Sequence, residues 1–243
     1  MSDALVIIPT YNEIENISKM LDAVMKLPQD FEVLVIDDGS PDGTADAVRE
    51  KQKEYPDRIH LETRKGKLGL GTAYIHGFKY ALARDYNYII EMDADFSHNP
   101  DDLPKLYLEC KERNADMSIG SRYISGVNVV NWPMGRVLMS YFASAYVRMV
   151  TGMPLRDTTA GFVCYSRKVL EAINLDKIKF KGYAFQIEMK FKAYKKKFKV
   201  VEVPIIFINR QLGESKMNSG IFGEAMFGVI NLKMKSIFSK NWI

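Results

Sequence analysis

Through the first 120 residues, short apolar runs take turns with stretches in which apolar residues recur every three to four positions. ALVIIP (4–9), FEVLVIDD (31–38), RIHLET (58–63), YNYIIEMD (86–93) and ADMSIGS (115–121) are rich in β-branched and aromatic residues and predict strands. Helices are predicted over 12–27, after the turn GSPDG (39–43), over 68–83 and over 100–113. Strands alternating with helices of ten to fifteen residues predict βαβ units and a mostly parallel sheet, an α/β fold. After Ser121 the rhythm breaks. A Gly/Asn-rich connector, SGVNVVNWPMG, leads to a predicted helix over 136–150, a strand-like AGFVCYS (160–166), a helix over 182–197 and a strand over 199–208. The last stretch, 219–243, predicts an amphipathic helical tail on a domain spanning 1–218.

Composition narrows the picture little. The chain has 243 residues, 47% hydrophobic and 26% charged, enough for a sizeable core. Cys110 and Cys164 match no metal or redox spacing and read as reduced thiols. The N-terminal MSDALVIIPTYNE lacks the basic start and long apolar run of a signal peptide. No window reaches the roughly 18 apolar residues that cross a bilayer, because Arg136 separates the longest charge-free stretches. The net charge of +4 is mild and gives no reason to expect nucleic acid, but Lys and Arg crowd the second half. That tilt suits an anionic partner such as phosphate or lipid headgroups. The group from Lys190 to Lys199 reads as a solvated helix face.

The candidate chemistry sits at strand ends. In a parallel sheet, ligands bind beyond the carboxyl ends of the strands. Pro9-Thr10-Tyr11-Asn12-Glu13, Asp37-Asp38-Gly39-Ser40, Asp93-Ala94-Asp95 and Gly120-Ser121-Arg122 all fall on that edge. One such cluster is explained by a turn or cap; four together are not. Asp93 and Asp95 stand one residue apart after an apolar run, and close carboxylates repel unless a hard cation, Mg²⁺ or Mn²⁺, relieves them. Mg²⁺ held by one or two carboxylates normally completes its shell with water and substrate phosphates, which points to a diphosphate donor. Asp42 reads as a turn or cap residue, leaving Asp38 for a base or ribose. KGKLGLGTAY (65–74) lacks the lysine of a P-loop and the third glycine of a dinucleotide fingerprint, so it reads as a turn opening a helix, with Lys67 near a phosphate. His98 reads better as a partner for backbone groups than as a base.

The ordered series PTYNE, IDDGSPDGT, KLGLGTAYIHG, MDADFSHNP, GSRY, TAGF, GYAFQIEM and INRQLGESKM resembles the dolichyl- and polyprenyl-phosphate mannose synthases of glycosyltransferase family 2, over nearly the whole chain. The resemblance implies a GT-A nucleotide-sugar-binding fold. It implies that Pro9, Tyr11, Glu13, Ile36 and Asp38 hold the guanosine, and that Asp93, Ala94 and Asp95 form the metal and diphosphate motif. Ser97 takes the place where some relatives carry a glutamine metal ligand. Arg122, Arg210 and Lys216 match phosphate-binding positions, and Arg136 and Ser140 match positions used for the lipid phosphate. Some relatives continue into C-terminal transmembrane helices; this chain resembles the short form.

The reaction so implied moves mannose from GDP-mannose to the phosphate of a polyprenol or dolichol, with inversion and release of GDP. Its nucleophile is already ionised, so no strong base is required; Asp95, Arg122, Arg136 and Ser140 are the catalytic set. UDP-glucose as donor stays open. So does transfer to a glycan hydroxyl, for which Asp157 in LRDTTAG would be the base. A polyprenyl acceptor places the chain on the cytoplasmic face of a membrane as a peripheral protein. The tail, with Lys233, Lys235 and Lys240 beside its apolar positions, and the helix at 137–150 could reach that surface or bind a membrane-protein partner. Gly223 and Gly228 weaken the tail's predicted helicity.

Overall fold

A computed structural model describes residues 2–182, 184–209 and 221–238, with the backbone alone at 221–225. The first half follows the alternating pattern. It contains β1 (Ala4–Thr10), α1 (Ile17–Met25), β2 (Glu32–Asp37), α2 (Thr44–Glu54), β3 (Ile59–Thr63), α3 (Leu70–Leu82), β4 (Tyr88–Glu91), α4 (Leu103–Lys111) and β5 (Met117–Ser121). The second half contains β6 (Val129–Val130), α5 (Met134–Thr151), β7 (Val163–Ser166), α6 (Arg167–Ala172), α7 (Ala184–Lys195), β8 (Val200–Pro204), β9 (Phe207–Ile208) and α8 (Ile221–Phe238).

Seven strands form one sheet in the order β3-β2-β1-β4-β7-β5-β8. Leu5, Ile7, Leu34 and Ile36 face a core shared with α3, α6, α7 and α8, while Val6, Ile8, Val33 and Val35 face a core shared with α1 and α4. Successive strand residues point to opposite faces, so burial on both sides explains why β1 and β2 read as unbroken apolar runs. The mostly parallel expectation holds except at β7, which is antiparallel to both β4 and β5. That reversal has a consequence for the site, because it brings the start of β7, and the loop Asp157–Gly161 before it, to the edge where β4 and β5 end.

The predicted strand over 199–208 splits. Pro204 ends β8, and β9 leaves to pair with β6 in a separate two-stranded ribbon. The short elements α6 and β6 carry no periodicity that the sequence could reveal. The lysine-rich helix is a correction. Lys190 and Lys192 are fully buried, because α7 runs beneath the sheet with residues from Ala184 to Ala193 all enclosed. Lys192 pairs with Glu188 one turn away at 3.3 Å.

Gly228 corrects the tail as well. α8 continues through it, since a Cβ there would come within 2.6 Å of the Phe180 ring. The missing side chain lets the helix approach the body, where Val229 and Leu232 join the core and Lys233 Nζ donates to the carbonyl of Thr151 at the end of α5 (3.1 Å).

Candidate active site

The segment after β4 is built by its own polar side chains. The Asp93 amide donates to His98 Nδ1 (3.1 Å) and the Ser97 amide to Asp95 Oδ1 (3.1 Å). Asn99 accepts from the Asp101 amide at the short 3₁₀ turn Pro100–Asp102. His98 is buried, stacked on Phe162 with ring centroids 4.8 Å apart, and burial pushes its pKa down to about 4. It is therefore a neutral acceptor for a backbone N–H, as expected, and serves to shape the loop. Asp93, Asp95 and Ser97 are left lining a cavity of about 470 Å³.

Arg122, at the end of β5, lines the same cavity. Its Nε and Nη2 donate to the two oxygens of Asp157, each at 2.7 Å, and Nη2 also donates to Thr159 Oγ1 (2.8 Å). Burial pushes the Asp157 carboxyl up, but the Arg122 charge and its hydrogen bonds outweigh this and hold it below the ordinary range. Glu202 on β8 accepts from the amides of Arg156 and Asp157 (2.7 and 2.8 Å), fixing the loop that carries the carboxylate. A buried, ionised, doubly bonded Asp157 is poorly suited to act as the base for a hydroxyl acceptor. Arg136, near the start of α5, lies 4.0 Å over the Trp132 ring and donates to Asn209 Oδ1 (2.9 Å). Ser140 follows one turn later on the same wall.

Beyond these groups the cavity turns apolar. Met139, Phe142, Ala143, Tyr146 and Val147 of α5 face Met226 and Val229 of α8 along it. Outside, the same helices leave Met134, Phe142, Met149, Phe227 and Phe238 more than half exposed.

The expected nucleoside residues occupy the same sheet edge but not the cavity wall. The Tyr11 ring lies under Lys67 Nζ at 5.4 Å from its centroid. Glu13 accepts from Asn16 Nδ2 (3.1 Å), and Pro9 is the one residue of β1 that is not fully buried. Asp38 is bonded to Arg64 Nε (2.6 Å) and the Leu68 amide (3.3 Å), so it fastens the 64–68 loop. The Ile36 side chain lies in the core beneath α3, and the Ala94 methyl in the core on the opposite face. Asp42 accepts from the Thr44 amide (3.0 Å) and the Ile14 amide (3.2 Å), which is the turn role read from the sequence. Arg210 and Lys216 lie outside the described residues.

A sequence model of glycosyl transferase family 2 matches residues 5–173. The chain belongs to glycosyl transferase family 2. Over 225 residues, covering 93% of this chain, it is 47% identical to a polyprenol monophosphomannose synthase of Mycolicibacterium smegmatis, of which 84% is covered. It is 48% identical to an undecaprenyl-phosphate mannosyltransferase of Micrococcus luteus over 93% of this chain and 91% of that protein. In fold it resembles glucosyl-3-phosphoglycerate synthase of Mycobacterium tuberculosis, solved with Mn²⁺, UDP and glucosyl-3-phosphoglycerate. The TM-score is 0.68 at 17% identity, covering 96% of this chain and 79% of that one. The expected GT-A sheet is thus present.

Behind Gln186 of the cavity wall, this family 2 chain also buries a carboxyl and an ammonium group. Glu91, the last residue of β4, is fully buried; its carboxyl group accepts from Gln186 Nε2 (2.6 Å) and the Tyr165 hydroxyl (3.3 Å). Burial pushes its pKa up to about 8. Lys190, one turn beyond Gln186, donates to the Ala160 carbonyl (2.6 Å), and burial pushes its pKa down to about 8. The signal was available, since Glu91 interrupts the apolar run YIIEM just before the two aspartates.

Among the described residues no three His, Cys, Asp or Glu stand together as a metal cage. Asp93, Asp95 and Ser97 offer hard oxygen donors at one wall, and the nearby imidazole already accepts a backbone proton. Such a set fits Mg²⁺ or Mn²⁺ that draws further ligands from a substrate, and it does not fit a softer ion.

Proposed function

We propose that the protein transfers mannose from GDP-mannose to the phosphate of a polyprenol, inverting the anomeric carbon and releasing GDP. One observation carries this reading. A single cavity joins paired carboxylates and two arginines at one end to an apolar channel between α5 and α8 at the other. The mannosyl and polyprenyl names of two relatives, each nearly half identical, support the same substrates.

Asp93, Asp95 and Ser97 would hold a divalent cation, which when bound offsets charge developing on the departing diphosphate. Arg210 and Lys216 complete the phosphate-binding set in this reading. Arg136 and Arg122 orient the acceptor phosphate, and Ser140 contributes a hydroxyl beside them. Arg122 is fixed by Asp157, so its charge is aimed before the substrate arrives and costs little reorganisation. The acceptor oxygen attacks C1 as an anion. Orientation therefore counts for more than proton transfer. Exposed apolar side chains on α5 and α8 rest in the cytoplasmic leaflet that carries the acceptor, making the enzyme peripheral. Among the described residues no helix is long and apolar enough to cross a membrane.

Incubation of the chain with radiolabelled GDP-mannose, polyprenyl phosphate and Mg²⁺ or Mn²⁺ should yield a lipid-soluble mannosyl product. Asp95→Ala should lower that yield by at least a thousandfold while the thermal transition persists. Preference for UDP-glucose would overturn the donor assignment, and full activity in Asp95→Ala would overturn the metal role.

A further inference from the structure

The segment KLGLGTAY serves neither as a P-loop nor, in the reading above, as part of the reacting set. Its structure gives it a different use. α3 begins at Leu70 in contact with the segment leading into α7. A Cβ on Gly71 would meet Phe185 at 2.8 Å and the Phe180 carbonyl at 2.9 Å, so only glycine permits this approach. One helical turn later, Tyr74 packs its ring on Phe185, 6.0 Å between centroids and nearly parallel. The close packing sets the phenol into the cavity wall beside Leu70, Gln186 and Asp93.

Tyr74 is fully buried, yet among the described residues its hydroxyl has no hydrogen-bond partner. Buried tyrosine hydroxyls are normally satisfied, and one left unpaired is costly. A group held in that state beside a substrate cavity is suited to a ligand that supplies the missing bond. Position says which kind. Burial, with the Asp93 and Asp95 carboxylates adding to it, keeps the phenol un-ionised, so it can donate. In the reading above Asp93 and Asp95 take the cation and its diphosphate, and Arg122 and Arg136 take the acceptor phosphate, so the group that lies between them beside this wall is the hexose. A neutral ring carrying several hydroxyls fits the carboxylate side, since it can both donate to and accept from a phenol.

We infer that Tyr74 is a sugar-recognition residue, whose hydroxyl bonds the hexose of the nucleotide-sugar donor beside the Asp93–Asp95 pair. This rests on the proposed transferase reading, and it names a contact that reading does not need. Tyr74→Phe removes the oxygen and keeps the stacked ring. With Mn²⁺ and saturating polyprenyl phosphate, kcat/KM for GDP-mannose should fall on the order of tenfold, as for the loss of one buried hydrogen bond. The inhibition constant of GDP, which lacks the hexose, should not change. Unchanged kcat/KM would overturn the inference. So would an equal loss for GDP, because the phenol would then be a packing group only. Should the wild-type chain use UDP-glucose and not GDP-mannose, the donor assignment falls alone, and the same comparison is read with UDP-glucose and UDP.

Discussion

The two ends of the cavity solve opposite problems. At the sheet edge, charged side chains that would be costly to bury are answered by other parts of the protein: Arg122 by Asp157, Asp38 by Arg64, and Lys190 by the Ala160 carbonyl. Between α5 and α8 the reverse holds. Met149, Phe227 and Phe238 are each about three-quarters exposed, and among the described residues little packing covers them. The first end supplies partners for these buried charges from the fold itself. The second end exposes apolar area that a lipid would cover. One helix shows both habits, since α8 buries Val229 and Leu232 against the core and turns Met226, Phe227, Ile230 and Met234 outward.

Breaking the charged end should have the largest effect. Arg122→Met leaves the buried Asp157 carboxylate without its counter-charge, a loss of about 3–5 kcal/mol in stability for a pair of this kind. Activity should vanish as well. The double variant Arg122→Met/Asp157→Leu removes both charges and should recover most of the thermal stability while staying inactive. Calorimetry and the transfer assay together check this. Transfer by the double variant would show that the arginine only neutralises Asp157.

Breaking the apolar end should spare the chemistry. Met149→Ser with Phe227→Ser removes two exposed apolar side chains that do not line the cavity, and loss of such contacts should weaken sedimentation with anionic phospholipid vesicles by roughly tenfold or more. Transfer to a short-chain polyprenyl phosphate in detergent should stay within about twofold of wild type on the same reasoning. Equal vesicle binding by both proteins would remove the membrane role assigned to α5 and α8.

The two ends also differ in how far the sequence discloses them. Strand ends at Thr10, Asp37 and Ser121 were readable because βαβ alternation fixes strand direction, and direction alone puts Asp38, Asp93 and Arg122 on one edge. The roles of Asp38 and Arg122 within that edge were harder to see. Their partners, Arg64 and Asp157, come from loops 26 and 35 residues away, and no local pattern links them. β7 was visible as a strand, but not its reversed insertion between β4 and β5, which depends on tertiary pairing. The exposed face of α5 was visible as a helix with apolar residues. Which of those residues lie outward depends on where α8 packs. Lys190 and Lys192 misled for a related reason. A charged residue is normally exposed, and only the closure of α7 under the sheet makes these two exceptions.

Lys190 offers the finest test of the charged end, because its effect should be gradual with pH. It titrates at about 8 in the fold against an ordinary 10.5, because burial penalises its charged form. The folded protein therefore binds this proton less tightly than the unfolded chain does. The resulting penalty is fully present below pH 8 and is relieved as pH rises from 8 towards 10.5. Lys190→Met carries no such penalty but leaves the Ala160 carbonyl without its donor. Wild type should accordingly gain thermal stability relative to Lys190→Met across that window, by a few degrees; Glu91, whose carboxyl loses the nearby positive charge in the variant and is pushed further up, shifts the difference in the same direction, while lysines and tyrosines away from the site titrate alike in both proteins and cancel. A constant difference between the two melting curves from pH 7 to 10 would mean that the ammonium is no harder to hold beneath the sheet than in water.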